Sequence, residues 1–208
     1  IQMKETKVDI RAHILYGLAN GPSSLSESLE MVKKAAEIGI KKIVAIPHKI
    51  KGSYDIDSHE ISKKINELNK EAKKYDIEIL FGANNHADFE MDYSLSINNK
   101  KYYMLEFPNN SFPHFCERII DEIKSKGLIP VIAHPETNLG IMNDIKILES
   151  LADKGCVFQL SADSLFDKNK NFAKFLLKNK VYHLIGSNAH KADDYSKYAK
   201  ALSLIEKY

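Results

Sequence analysis

Short apolar runs rich in β-branched residues alternate with longer amphipathic runs along the whole chain. This alternation is typical of β–α units repeated around a parallel sheet. Each apolar run has the length of a single strand and is bounded by turn or polar residues. Seven strands are predicted, at residues 8–15, 41–47, 77–83, 102–107, 129–133, 157–161 and 183–187.

The amphipathic runs between the strands predict helices with one buried face. In the first, Ser23 or Ser24 can cap the N-terminus, Glu27 lies in the first turn, and Gly39 ends the helix. The second, at about residues 58–75, carries isoleucine and leucine on one face and lysines on the other, which indicates a solvated outer surface. Further helices are predicted at about residues 115–126, 144–154, 171–180 and 194–207.

Composition and charge exclude several classes of protein. With 208 residues and 44% hydrophobic content, the chain is expected to form a single domain over residues 1–208. Thirty basic and 28 acidic residues leave a formal charge of +2, and the lysines are scattered, so we expect no nucleic-acid binding and no membrane insertion. No apolar run approaches the ~18 residues of a membrane helix, and residues 1–7 resemble no signal core, so we expect a cytoplasmic protein. Cys116 and Cys156 have no metal-type spacing and are expected to be buried, small hydrophobic residues.

Polar side chains follow six of the seven predicted strands at their carboxyl ends. In parallel sheets and barrels these ends share one mouth, where ligands bind. Imidazole and carboxylate groups are the ligands of Zn, Mn and Fe. The candidate metal ligands are His13, His48, Glu106, His134 and His190. The other polar residues at these ends are Arg11, Asn20, Lys49, Asn84, His86, Glu136 and Asn188. Three further histidines, which lie on a helix, in a loop and at a strand start, are interpreted as structural: His59, His114 and His183.

The stretch VDIRAHIL, residues 8–15, contains one residue that does not suit a metal site. An Asp-x-His-x-His sequence at the end of a buried strand would place two imidazoles on the same face. Here the first of these two positions is Arg11, whose guanidinium has no lone pair, stays protonated and would repel a dication. Arg11 either pairs with Glu106 or holds a phosphate group bidentately.

Five motifs resemble those of the PHP (polymerase and histidinol phosphatase) superfamily, within it the CpsB/YwqE type of bacterial protein-tyrosine phosphatase. They are DIRAHILYGLANGPSSLSESLEM, IVAIPH, YYMLEFP, IPVIAHPE and IGSNAH, and together they span nearly the whole chain. The resemblance implies an α/β fold, a distorted seven-stranded (β/α)7 TIM-like barrel. It also implies a three-metal centre and Mn-dependent hydrolysis of phosphotyrosine in the regulation of capsule or exopolysaccharide synthesis. The implied partner is a phosphotyrosine-bearing kinase or a polysaccharide-export protein.

The ligand positions implied by the resemblance are partly substituted in this chain. The positions implied for the first metal hold Arg11, His13, Asn84 and Asn188. The second metal would share Asn84 and add Glu106 and His134, and the third would take Asn20, His48 and His190. Thr137 stands where the resemblance implies a phosphate-binding arginine, and Lys49 replaces a histidine of the second motif. Arg11 and Lys49 are therefore the candidates for phosphate binding.

These substitutions lower the negative charge that a divalent ion requires. Three carboxylate positions hold asparagine, whose amide oxygen supplies a dipole without a full charge. We therefore expect no metal, or a single weakly held Mn, Fe or Zn ion, in place of the implied three-metal centre. General acid or base help from a histidine typically contributes only about 10²–10⁴-fold, so no catalytic residue is assigned.

Three hypotheses follow. The chain is a pseudophosphatase that keeps a pocket for phosphate or phosphotyrosine without turnover. Alternatively, it is a residual metal-dependent phosphoesterase with one ion, held by His48, His190 and a neighbour or by Glu106 and His134. In the third, the pocket is closed and the protein serves only as an interaction partner.

Overall fold

The computed structural model of the chain describes residues 6–98 and 100–208. Within them the strands are β1 (Lys7–Ala12), β2 (Ile40–Ala45), β3 (His48–Lys49), β4 (Glu78–Leu80), β5 (Asn84–His86), β6 (Tyr102–Glu106), β7 (Ile129–Ala133), β8 (Val157–Ser161) and β9 (Leu184–Gly186). They form a three-stranded sheet in the order β1-β2-β4 and a six-stranded sheet in the order β3-β5-β6-β7-β8-β9. Every neighbouring pair of strands is parallel. The predicted α/β class with a parallel sheet is confirmed.

Two of the predicted strands end earlier than predicted, and each is followed by a second, short strand that was not predicted. The strand predicted at 41–47 is β2, which ends at Ala45, and β3 begins after Pro47, which has no N–H to donate to a neighbouring strand. The strand predicted at 77–83 is β4, which ends at Leu80, and β5 begins after Gly82. A Cβ atom at Gly82 would lie 2.8 Å from Val44 Cγ1 and 3.0 Å from the Ala45 carbonyl oxygen, so only glycine permits this approach.

The end of β9 lies against β1. Ala12 and Ala189 form a parallel bridge. The Asn188 N–H donates to the Arg11 carbonyl at 2.8 Å, and the His13 N–H donates to the Ala189 carbonyl at 2.9 Å. The first and last strands therefore meet beside two of the candidate site residues. A closed seven-stranded barrel stays a prediction.

The described residues form seven α-helices, of which most match the predicted ones. They are α1 (Leu25–Glu37), α2 (Ser58–Ala72), α3 (Phe115–Ser125), α4 (Leu139–Asn143), α5 (Lys146–Asp153), α6 (Lys170–Lys178) and α7 (Asp194–Ile205). The Ser24 hydroxyl accepts from the Glu27 N–H at 3.3 Å and caps α1, which ends shortly before Gly39 at φ +83°. The short helix α4 was not predicted.

The helices cover the sheets with their apolar faces. Ile61, Ile65 and Leu68 on α2 are buried, as the pattern predicts. Cys116 and Cys156 are free and buried, also as predicted, and burial raises the pKa of each thiol to about 12. In the described part of the chain, none of the helices has the length and apolar character needed to cross a membrane.

Candidate functional site

A pocket of about 430 Å³ opens where the carboxyl ends of β6, β7, β8 and β9 meet. Six of the predicted site residues line it: Arg11, His48, Glu106, His134, Asn188 and His190. Asn20 is exposed, and its backbone carbonyl oxygen lies 3.2 Å from His190 Nδ1. Lys49 lies outside the pocket lining, and its Nζ is 3.4 Å from Asp55 Oδ1. The structure therefore brings most of the predicted residues together and leaves Lys49 and the Asn20 side chain outside.

Arg11 lies at the bottom of this pocket and is only 2% exposed. Its Nη1 donates to Asn188 Oδ1, and its Nη2 is 3.5 Å from Glu106 Oε2. The Nε of Arg11 is buried and has no hydrogen-bond partner among the described residues. Burial lowers the pKa of Arg11, and the negative charge of Glu106 opposes this shift. A fixed positive charge is therefore built into the base of the pocket.

Glu106, the last residue of β6, lies at the centre of the buried polar cluster. Its Oε2 accepts from Asn84 Nδ2 and lies 3.3 Å from His134 Nε2, and its Oε1 lies 3.6 Å from His86 Nε2. Burial raises the pKa of Glu106, but His134, Arg11 and His86 outweigh burial and hold it well below its usual range. The carboxylate is therefore ionised at neutral pH.

The ring of His13 stacks between the rings of two other histidines. Its ring lies 4.6 Å from the His48 ring and 4.1 Å from the His190 ring, measured between centroids. Both of its ring nitrogens are buried without a partner in the described structure. Burial and the charge of Arg11 lower the pKa of His13 well below its usual value, so the ring is neutral. Unpaired buried nitrogens are unusual, and a bound ion is one group that would satisfy them.

His86 is a candidate ligand that the sequence-based selection left out. Its Nε2 lies 3.1 Å from His48 Nδ1, and one ligand atom from each of His48, His86 and Glu106 lies within 4.8 Å of the others. Burial lowers the pKa of His48 to about 4 and also lowers the pKa of His86, so both rings can donate a lone pair at pH 7. These three side chains could hold one metal ion. The sequence contained the information needed to select His86. It lies two residues after Asn84, and residues two apart on a strand point to the same face of the sheet.

A second missed residue, Asp163, lies opposite Arg11. Asn188 connects the two side chains, because its Oδ1 accepts from Arg11 and its Nδ2 donates to Asp163 Oδ2 at 3.1 Å. The Ser161 hydroxyl holds the other oxygen of Asp163 at 2.7 Å. Asp163 lies two residues after the end of β8, the one predicted strand end at which no polar residue was selected.

His134 and Thr137 form a small turn at the mouth of the pocket. His134 has a left-handed backbone at φ +33°, and its Nδ1 lies 2.7 Å from the Thr137 hydroxyl. This contact aims His134 Nε2 at Glu106. The three histidines interpreted as structural, His59, His114 and His183, are exposed and lie outside the pocket lining.

Comparisons with known proteins agree on one family. The sequence profile of the family "Capsular polysaccharide synthesis, CpsB/CapC" matches residues 7–208. The chain is 33% identical over 195 residues to the putative tyrosine-protein phosphatase CapC of Staphylococcus aureus, covering 88% of this chain and 76% of the relative. It is 32% identical over 213 residues to the tyrosine-protein phosphatase YwqE of Bacillus subtilis, covering 96% and 84%.

A solved structure agrees with the sequence matches. It comes from work on YwqE of Bacillus subtilis and CpsB of Streptococcus pneumoniae, which are named there as metal-dependent tyrosine phosphatases. This structure superposes with a TM-score of 0.87 at 29% identity and covers 96% of this chain and 86% of that one. The chain therefore belongs to the CpsB/CapC family and is a homologue of its capsule-related tyrosine phosphatases.

Proposed function

We propose that this chain is a pseudophosphatase of the CpsB/CapC family, which keeps the pocket and has lost most of the catalytic power. One observation carries the proposal: the buried guanidinium of Arg11 lies between Glu106 and Asn188, at the base of the pocket. A guanidinium has no lone pair for a metal, and its fixed charge repels a dication nearby. Arg11 thus takes a position where the family resemblance implies a histidine ligand.

The asparagines in the cluster point to the same loss of metal affinity. Asn84 donates its amide N–H to Glu106, so its nitrogen rather than its oxygen faces that carboxylate. Asn188 is held between Arg11 and Asp163 by hydrogen bonds. Neither amide supplies the negative charge that a centre of several divalent ions requires. The chain accordingly holds no metal, or a single weakly held one, and lacks the means to generate hydroxide at neutral pH.

The retained pocket is proposed to bind phosphate or phosphotyrosine. The unpaired Nε of Arg11 is the buried donor available to an anion, and Lys168 adds a cation to the lining. The proposed partner is a phosphotyrosine-bearing kinase or a polysaccharide-export protein, in the cytoplasm.

We also infer that the two sheets act as one seven-stranded barrel, with β2 continued by β3, β4 continued by β5, and β9 closing on β1.

A residual metal-dependent phosphoesterase is the second candidate function. It is favoured by one observation, the convergence of His48, His86 and Glu106 on a single point. A metal held there would supply positive charge toward a bound phosphate group. The buried carboxylate and the two neutral imidazoles suit a single ion.

Metal content and turnover test the proposed function together. The purified chain is expected to contain no more than one metal ion and to show no hydrolysis of an aryl phosphate in added Mn²⁺, with YwqE as the active reference. Two or three ions per chain together with turnover comparable to that reference would refute the proposal of a pseudophosphatase.

Calorimetry with phosphotyrosine tests the proposed ligand. It should detect binding, and Arg11→Met should weaken that binding. An absence of binding by the unaltered chain would favour the closed pocket of the third hypothesis.

A further inference from the structure

Strand pairing brings His86 to the same side of the sheet as Glu106 and His48. In the parallel pair β5 and β6, His86 is the register partner of Glu106. In the pair β3 and β5, His48 is the register partner of Asn84. Asn84 and His86 are two residues apart on β5, so their side chains point to the same face. Three neighbouring strands therefore present one potential ligand each.

The distances within this trio are slightly longer than those between neighbouring ligand atoms in a coordination shell. His48 Nδ1 and His86 Nε2 are 3.1 Å apart, His86 Nε2 and Glu106 Oε1 are 3.6 Å apart, and His48 Nδ1 and Glu106 Oε2 are 3.8 Å apart. Metal–ligand bonds of about 2.0–2.2 Å at tetrahedral or octahedral angles place adjacent ligand atoms ~3.0–3.5 Å apart. Small rotations of the side chains are sufficient to enclose an ion.

The two oxygens of Glu106 are used differently. Arg11, His134 and Asn84 all contact Oε2. Among the described residues, the contact made with Oε1 is that of His86. An ion between Glu106 and His86 would therefore bind Oε1 without displacing Arg11. The Glu106 carboxylate would then contact Arg11 through Oε2 and the ion through Oε1.

The charge of the pocket gives an independent reason to expect an ion. The lining contains two cations, Arg11 and Lys168, and three carboxylates, Glu106, Asp163 and Asp167. Among the arginine, lysine and carboxylate side chains, this lining has more negative than positive charge, which opposes entry of a phosphate anion. One divalent ion reverses the balance and makes the pocket suitable for an anion.

We propose that His86 completes a one-ion site with His48 and Glu106, and that this site prefers a zinc-type ion to manganese or magnesium. The preference follows from the donors, because two imidazoles and one carboxylate suit Zn²⁺, whereas oxygen-rich sites suit Mn²⁺ and Mg²⁺. The inference rests on the proposed function, since a one-ion site is expected where the multi-ion centre has been lost. Arg11 beside Glu106 weakens the site by repelling the ion.

Calorimetric titration of Zn²⁺ into the chelator-treated full chain tests this site. The unaltered protein is expected to bind one Zn²⁺ per chain, and more tightly than Mn²⁺ under the same conditions. His86→Ala should weaken binding by at least about 10-fold, because a ligand is lost. His59→Ala is the matched control, because His59 is an exposed histidine on α2, and this variant should bind Zn²⁺ as the unaltered protein does. His86→Gln removes the imidazole with little change in size and should show the same loss, with unchanged circular dichroism as evidence of folding.

Two further variants separate this site from other locations for the ion. Arg11→Met should tighten Zn²⁺ binding, which loss of a merely structural residue would not do. His190→Ala should weaken binding less than His86→Ala, because His190 lies outside the trio. The inference is overturned if the unaltered chain binds no Zn²⁺, if His86→Ala and His86→Gln bind as tightly as it does, if Mn²⁺ is preferred, or if His190→Ala is the more damaging change. Aryl phosphate turnover is a separate readout. Turnover alone would overturn the proposal of a pseudophosphatase but would not contradict the proposed ion site.

Discussion

Arg11 and Glu106 form a buried ion pair, with Arg11 Nη2 3.5 Å from Glu106 Oε2 and both side chains less than a tenth exposed. Each group lowers the free-energy cost of burying the other. The pair therefore connects the stability of the fold to the electrostatics of the pocket.

Replacing Arg11 by methionine should destabilise the protein by about 3 kcal/mol, because Glu106 is left as a buried charge without its cation. His134 and Asn84 still contact the carboxylate, which keeps the loss near the lower end of the range for broken buried pairs. Urea unfolding followed by circular dichroism measures the free energy of unfolding. Arg118→Met is the matched control, since Arg118 is exposed and lies 5.1 Å from the Phe89 ring. A loss for Arg11→Met no larger than that for Arg118→Met would contradict this account of the pair.

Asp9 should make stability depend on pH in the acid range. It is fully buried and accepts from the Ser187 N–H at 2.9 Å and the Tyr195 hydroxyl at 3.1 Å. Burial raises the pKa of Asp9 from 3.8 to about 6, so the folded state binds a proton more tightly than the unfolded state does. This contribution to stability is present below about pH 4 and is lost as pH rises through 6, by roughly 3 kcal/mol in total.

The Asp9→Asn variant isolates this contribution, because asparagine cannot titrate. The difference in free energy of unfolding between Asp9→Asn and the unaltered protein should shift in favour of the variant between pH 4 and pH 7. Urea titrations at three or four pH values measure that difference. A difference that stays constant with pH would show that Asp9 does not titrate in this range.

Restoring the ligand types implied by the family should restore metal occupancy. The combined changes Arg11→His, Asn20→Asp, Asn84→Glu and Asn188→Asp add three carboxylates and remove a cation at the ligand positions implied by the family resemblance. Two or more Mn²⁺ ions per chain are expected by elemental analysis, against no more than one for the unaltered protein. No gain in a variant that is folded by circular dichroism would mean that the inherited geometry has been lost.

Gly186→Ala should disturb both the fold and the pocket. A Cβ atom at this position would lie 2.4 Å from Arg11 Cβ and 3.0 Å from the Arg11 nitrogen, so β9 and β1 must move apart. The expected loss is about 1–3 kcal/mol, as for other overpacked positions. A thermal melt measures it, and an unchanged midpoint would mean that the two strands separate without cost.

The order of strands and helices could be predicted from the sequence because it depends on local periodicity. The early strand ends before Pro47 and Gly82 and the short strands β3 and β5 could not be predicted, since the end before Gly82 depends on how closely that residue approaches β2. Alternation along a strand, applied strictly, does give further information. It puts His48 and Lys49 on opposite faces, which agrees with Lys49 lying outside the pocket lining, and it puts Asn84 and His86 on the same face.

Side-chain contacts between residues far apart in the sequence could not be predicted from the sequence alone. The resemblance to a family placed Arg11 and Glu106 in one mouth, but it left open whether Arg11 would pair with that carboxylate or hold an anion. The pairing depends on neighbouring side chains, because Asn84 donates to Glu106 and Asn188 accepts from Arg11 and donates to Asp163. Only the three-dimensional arrangement shows that Asn188 connects a cation to an acid.

The contact between Arg11 and Asn188 spans 177 positions of the chain. During synthesis on the ribosome, Arg11 is therefore made long before its acceptor Asn188. The base of the pocket is therefore assembled late, after the intervening helices and strands have had time to form locally. A nascent chain interrupted before the last strand would contain Glu106 but would lack the Asn188 acceptor of this cation.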